Sequence, residues 1–224
     1  MKKQTSILLL LLTFWFANVG NASAQKKHKY VDLGLPSGTL WATCNVGANN
    51  PEDYGDYFAW GETTTKSTYS WSTYKYCRDG NYHKLTKYCD ESGYGNNGFT
   101  DGKRTLDPSD DAATANWGDG WCMPTTDQIT ELNGKCTWNW TSRNGKNGYE
   151  VIGPNGNRLF LPAAGYRNGT DRNSVGAMGR YWTREFFDIF LEKARDLQFD
   201  SSYVSWLFDY RYYGYSVRPV RCSD

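Results

Sequence analysis

The stretch WCMPTTDQITEL, Trp121 to Leu132, decides the architecture. Thr125 followed three residues later by Gln128 is a capping box, in which each side chain satisfies a backbone donor that the first helical turn leaves open. Ile129 and Leu132 then fall on one side of the turn, and Asn133 with Gly134 supplies a stop. Just upstream, DPSDDAATANWG (107–118) predicts a second helix. There Asp107 is the expected cap, Pro108 suits the first helical position, and Asp110 brings negative charge to the positive helix end. That helix should stop near Trp117 and Gly118. Both helices are short.

Outward from this pair, the apolar residues come in brief runs bounded by Gly, Pro, Asn and Asp, the pattern of short strands. VDLGLPSGTLWATCNVG (31–47) predicts two extended pieces around a turn at Pro36, Ser37 and Gly38, and DYFAWG (56–61) a third. YEVI and RLFLPA flank GPNGN as a hairpin, followed by YWT, RDLQF and YSVRPV. In RDLQF, Leu197 and Phe199 alternate as in a half-buried strand. From Glu62 to Gly102 the chain is loop-like, with Trp71, Tyr74 and Tyr76 available to anchor it. The reading is an α+β fold: a mostly antiparallel sheet of short strands with two short helices and long loops.

Residues 1–24 read as a secretory signal peptide: a basic start at Lys2 and Lys3, an apolar run from Ile7 to Phe16, and Ala22-Ser23-Ala24 before Gln25. Residues 25–224 then form a single domain. The apolar run is shorter than the ~20 residues a membrane span needs, and no later segment is apolar enough, so no membrane insertion follows signal cleavage. The expected location is secreted or periplasmic, with attachment to a cell surface as an option. The formal charge of +1 includes Lys2 and Lys3, which leaves −1 on the exported part and argues against a nucleic-acid partner. Lys26, Lys27, His28 and Lys29 read as a solvated basic start. With 10 Phe, 10 Trp and 17 Tyr, 23 Gly and a mean hydropathy of −0.72, the chain is neither disordered nor a helical bundle.

All six Cys follow the signal, and an even count in an exported chain reads as disulfides. Cys77 and Cys89 flank CRDGNYHKLTKYC, whose Asp79-Gly80 turn predicts that they pair. Zinc is disfavoured, because there is no C-x-x-C and only His28 and His83 are present.

Four segments taken together resemble a known family: VDLGLPSGTLWATCNVGANNPEDYGDYFAWGET (31–63), DDAATANWGDGWCMPTTDQITEL (110–132), GNRLFLPAAGYR (156–167) and YGYSVRPV (213–220). In this order they are similar to the Fibrobacter succinogenes major paralogous domain, abundant in exported proteins of Bacteroides and relatives. The resemblance spans about residues 30–221 and implies a C-type-lectin-like fold, related in shape to the formylglycine-generating, sulfatase-modifying enzymes. It transfers fold and compartment more than activity. The chain departs from the family pattern at Cys122, where Arg is usual, and adds Cys222. The departure implies that Cys122 pairs with Cys222 and leaves Cys44 with Cys136.

Catalytic equipment is thin. A formylglycine-generating oxidase needs paired reactive cysteines near the C-terminal core, and after Cys136 only Cys222 remains. There is no G-x-S-x-G, and His83 reads as a surface residue. Asp107, Asp110 and Asp111 are accounted for by helix capping, and Glu52, Asp53 and Asp56 by a turn, which disfavours a glycosidase pair. No cofactor is expected. Calcium is the alternative, with oxygen donors in PEDYGD and DPSDD but neither EF-hand spacing nor the Glu-Pro-Asn type of sugar motif. No catalytic residue and no metal ligand is assigned.

The most suggestive segment is SSYVSWLFDYRYYGYSVRPV (201–220), where rings crowd among Ser, Asp and Arg as in binding loops. The ligand-contact candidates are Trp206, Tyr210, Tyr212 and Tyr213, followed by Trp60, Tyr166 and Trp182 as a possible sugar-stacking platform. The expected function is a non-catalytic module that binds a glycan or surface protein at the bacterial surface or in the periplasm. A structural or assembly subunit of a surface fibre is the alternative, and an enzyme comes third.

Overall fold

The computed structural model describes residues 28–222, and the signal peptide expectation lies outside them. Among the described residues there are twelve short strands and two short α-helices. In chain order, β1 (Tyr30–Asp32) and β2 (Leu40–Ala42) precede α1 (Ala112–Trp117), β3 (Trp121–Cys122) and α2 (Thr126–Lys135). Then follow β4 (Thr137–Arg143), β5 (Lys146–Ile152), β6 (Arg158–Pro162), β7 (Tyr166–Asn168) and β8 (Asp171–Asn173). The chain finishes with β9 (Gly179–Phe186), β10 (Lys193–Phe199), β11 (Val204–Tyr210) and β12 (Val220–Arg221). They form sheets of order β1-β2-β12-β3, β11-β10-β9, β4-β5-β6 and β7-β8, with every named pairing antiparallel.

The β9–β11 sheet organises the core because both of its faces are buried. On β9 and β10, Trp182, Phe186 and Ala194 pack into one cluster with Phe58, Trp60, Tyr88 and Tyr215. Tyr181, Leu197 and Phe199 point into the other, where Ile129 and Leu132 of α2 meet Leu159 and Leu161 of β6. Single bridges from Tyr181 to Ser216 and from Phe58 to Tyr215 continue the sheet beyond β9, so the predicted YSVRPV and DYFAWG strands reduce to isolated pairings. β11 forms the opposite edge.

α2 starts as predicted. Thr125 Oγ1 accepts from Gln128 N at 3.2 Å, and Gln128 Oε1 accepts from Thr125 N at 2.9 Å. It runs past Gly134 to Lys135, because Ile129 and Leu132 hold it against the core. Thr125→Ala should cost about 1 kcal/mol, read as a lower denaturation midpoint with an unchanged slope. An unshifted midpoint would show that the box is ornamental.

α1 departs from its prediction. Asp107 and Pro108 start only a single 3-10 turn, with no cap bond from the Asp107 side chain. Asp111 is the true cap: one carboxylate oxygen accepts from Ala113 N and Thr114 N, and the other from Met123 N at 2.8 Å. One buried side chain thus caps α1 and fastens it to the β3 end.

The Cys122–Cys222 disulfide is formed, with a Cα–Cα distance of 5.5 Å across 100 residues. The other two predicted pairs are corrected: Cys44, Cys77, Cys89 and Cys136 are free thiols. The turn at Asp79-Gly80 closes early, since Arg78 N donates to Lys84 O at 2.9 Å and Cys77 bridges to Leu85 rather than Cys89. Tyr88, at a φ of 57°, redirects the chain and buries Cys89, whose thiol turns to Glu91 O at 3.1 Å. Cys44 follows β2 with its thiol near Asn49 O, whereas Cys136 ends α2 and packs on the second cluster. Burial pushes the Cys77 and Cys136 thiols up to about 11, so neither is a reactive thiolate at neutral pH.

Candidate functional site

The candidate site grows from the end of β11. Arg211 turns inward and is fully buried: its guanidinium lies 4.9 Å from the ring centres of both Trp60 and Phe186, and its Nη1 donates to Tyr88 O at 2.9 Å. Its backbone is held on both sides, by Arg211 N to Glu192 O at 3.0 Å and Trp60 N to Arg211 O at 2.8 Å. With Arg211 fixed as an inward anchor, Tyr210, Tyr212 and Tyr213 are left half-buried at the surface.

Those rings meet others from distant segments. Tyr210 and Tyr212 stack at 5.8 Å, Tyr213 lies 4.6 Å from Tyr212, and Tyr166 of β7 lies 5.7 Å from Tyr213. On the other side Trp71 lies 5.2 Å from Tyr212 and 6.1 Å from Tyr210. Tyr82 follows at 6.0 Å from Trp71, His83 at 4.2 Å from Tyr82, and Tyr94 at 4.9 Å from His83. A continuous aromatic band therefore crosses the surface from Tyr166 to Tyr94.

The 62–102 loop carries half of this band, and its anchors are buried. Ser70 N donates to Thr73 Oγ1 at 3.2 Å and starts the turn that presents Trp71. Tyr69 exchanges two backbone hydrogen bonds of 2.8 Å with Gly169, and its ring lies on Gly214, where a Cβ would come within 2.6 Å of it. Any side chain at 214 would lift the loop. Below Trp71, Tyr74 donates its hydroxyl to Trp60 O at 2.9 Å.

Polar groups border the band. Arg180 lies 5.3 Å from the Tyr166 ring centre, and its Nη1 donates to Asp209 Oδ2 at 2.6 Å and to the Tyr215 hydroxyl at 2.7 Å. The Tyr215 hydroxyl donates to the same Asp209 oxygen at 2.8 Å. Lys193 Nζ stands 5.0 Å from the Tyr210 ring centre. Burial and the adjacent Tyr212 hydroxyl hold the Tyr213 hydroxyl protonated, well above the ordinary tyrosine range. Rings with fixed hydrogen-bonding neighbours can stack on sugar faces or cover apolar side chains of a protein ligand.

Of the predicted residues, Tyr210, Tyr212, Tyr213 and Tyr166 are brought together. Trp60 and Trp182 are corrected to core residues: both are fully buried, with their indole N–H groups donating to Thr183 O and Phe58 O. Their positions beside turns are the inner ends of buried segments. Trp206 of β11 is 39% exposed and lies under the guanidinium of Arg195 of β10, with no ring contact to the band among the described residues. Sequence reasoning missed Tyr82, His83 and Tyr94 as partners, and treated Trp71 only as an anchor.

The acidic clusters are committed elsewhere. Lys87 Nζ bridges Asp107 and Asp110 at 2.6 and 2.5 Å, and Tyr88 donates its hydroxyl to Asp110 at 2.7 Å. Glu52 accepts from Asn144 at 2.5 Å, and Asp53 pairs with Lys146 at 2.7 Å. Among the described residues no helix is long and apolar enough to cross a membrane, and no group of three or more His, Cys, Asp or Glu is arranged to hold a metal ion. Comparison with family models, curated proteins and solved structures finds no match to the chain.

Proposed function

We propose that this chain is an exported, non-catalytic recognition module of C-type-lectin-like fold, similar to the Fibrobacter succinogenes major paralogous domain. It binds a carbohydrate or protein ligand at the bacterial surface or in the periplasm. The observation that carries this reading is the aromatic band, half-exposed rings from three separate segments held over a buried layer of Arg211, Trp60 and Tyr74. Rings ordered in advance give contact area at low entropic cost. The acidic residues that a hydrolase would use already serve Lys partners and helix caps, which favours binding over chemistry.

The test is a screen of residues 25–224 against a glycan array and bacterial or host surface proteins, with calcium and with chelator. The expected result is saturable binding that is indifferent to calcium and falls at least ~10-fold in Trp71→Ala and Tyr212→Ala, with melting nearly unchanged. Retention of every hit in full by both variants would move the site off the band.

The second reading, an assembly subunit, is favoured by a different surface. Phe190, 42% exposed in the β9–β10 connection, lies 6.2 Å from Phe208 of β11, Trp206, 39% exposed on the same strand, shares the Arg195 guanidinium with Phe187, and β11 is an edge strand. It predicts self-association or a stable protein partner lost in Phe190→Ser, with no glycan bound.

A further inference from the structure

A cavity of about 300 Å³ lies behind the β7–β8 hairpin, lined by Asp56, Thr65, Lys66, Tyr69, Arg167 and Arg172. Arg167 and Arg172 are directly opposite each other in the strand register. Both guanidiniums cover the Tyr57 ring, at 5.7 and 5.8 Å from its centre. Neither lies within 4.0 Å of a carboxylate among the described residues, whereas Lys66 of the same lining pairs with Glu62. Like charges placed opposite each other in a two-stranded ribbon are unfavourable, so the pair is a cost to folding that an anionic ligand would relieve.

Each guanidinium is a planar fork suited to a carboxylate or a sulfate ester. Arg167 spends one donor on Thr170 O, at 3.4 Å, a long bond that leaves most of its fork open. Lys66, on the loop side, is engaged with Glu62 at 2.8 Å and Thr73 O at 3.0 Å, and it adds charge without leading the recognition. The lining also includes Asp56 and Thr65, both able to accept hydrogen bonds from hydroxyls, and the Asp56 carboxylate disfavours a bare multivalent anion. The volume stands at the lower end of the roughly 300–1,000 Å³ of small-molecule sites, a size for one sugar ring and well above that of a lone anion.

We propose that this cavity binds an acidic saccharide, its carboxylate or sulfate held by Arg167 and Arg172 and its hydroxyls by Asp56 and Thr65. The inference deepens the glycan branch of the proposed function and rests on that branch, while using residues separate from the aromatic band. Arg167 follows Tyr166 on β7, so the two side chains point to opposite faces, one to the band and one to the cavity.

The experiment is calorimetric titration of residues 25–224 with glucuronate, glucose 6-sulfate, glucose and inorganic sulfate. It is repeated in Arg167→Gln, Arg172→Gln and Trp71→Ala. At least one acidic sugar should bind saturably, with glucose and inorganic sulfate at least ~10-fold weaker and either Gln variant reducing binding by ~10-fold or more. Preference for glucuronate assigns a carboxylate, and preference for the sulfated sugar assigns a sulfate ester. Trp71→Ala should leave this binding intact even if the band itself proves to have no ligand. Absence of binding by both acidic sugars, glucose or sulfate binding as tightly as they do, or full binding in both Gln variants would overturn the proposal.

Discussion

Replacing Asp196 with Asn should make the protein more stable than the native chain at pH 8 and leave it nearly unchanged at pH 4. Asp196 is fully buried on β10, and neither carboxyl oxygen has a hydrogen-bond partner among the described residues. Burial pushes its pKa up to about 8, against the pull of Arg180 at 3.8 Å and with a push from Asp209. A carboxyl raised in the folded state holds its proton there while the unfolded chain releases it. Its stabilising contribution is therefore full below about pH 4 and is lost as pH rises toward 8, with a slope approaching ~1.4 kcal/mol per pH unit. Asparagine keeps the shape and removes the titration, so the variant should gain on the order of 5 kcal/mol over the native chain at pH 8. Denaturation curves at pH 5 and pH 8 measure it, and equal pH slopes in the two proteins would show that Asp196 is not the buried acid described.

The acid limb has a different origin. Asp110 is buried, which works against its charge, but hydrogen bonds from Lys87, Tyr76 and Tyr88 hold its carboxyl below the ordinary range. That contribution is present above about pH 4 and is lost as pH falls, opposite in sign to Asp196. Comparison at pH 5 and above therefore isolates the Asp196 effect.

Arg211→Ala should be the most damaging single change near the site. It removes a buried guanidinium from between Trp60 and Phe186, leaves Tyr88 O without its donor, and opens a cavity. The expected loss is about 3–5 kcal/mol, read as a large drop in melting temperature. Arg211→Lys should recover little, because an ammonium cannot fill the slot between two rings while reaching the Tyr88 carbonyl. Ligand binding should fall in both variants together with stability, unlike Trp71→Ala, where binding falls alone. A native melting curve for Arg211→Ala would remove the anchor from the account.

Much of the fold was legible where one short signal carried it. The Thr125–Gln128 box, the hairpin of β5 and β6, and the α+β mixture of short antiparallel strands are all present. Other features depend on tertiary partners that local patterns do not reveal. Asp111 rather than Asp107 caps α1 because its second oxygen is needed by Met123 N, from beyond the helix. The segment TWNWTSR alternates only at Trp138 and Trp140, too short a signal by itself, and forms β4 because β5 supplies a partner along its whole length. β11 read as a binding loop and is a strand, along which Trp206 lies beside the Arg195 guanidinium, four residues before Tyr210 and without a ring contact to the band among the described residues.

The site was half legible for a related reason. Composition pointed to the 201–220 rings, of which Tyr210, Tyr212 and Tyr213 lie in the band together with Tyr166, while Trp206 does not. Ring count alone did not separate Trp60 and Trp182, whose indoles complete buried hydrogen bonds, from rings at the surface. Tyr82, His83 and Tyr94 sit in a polar stretch with no periodicity, and only the docking of that loop through Tyr69 and Tyr74 brings them beside Trp71.

The most direct measurement of the central claim is a nuclear magnetic resonance titration of the 15N-labelled protein with the ligand taken from the binding screen, following the tryptophan indole N–H signals. The Trp71 signal should move in a saturable way while those of Trp60 and Trp182, buried and hydrogen-bonded, stay in place. A bound ligand that leaves Trp71 unmoved would contradict the assignment of the aromatic band as the recognition surface.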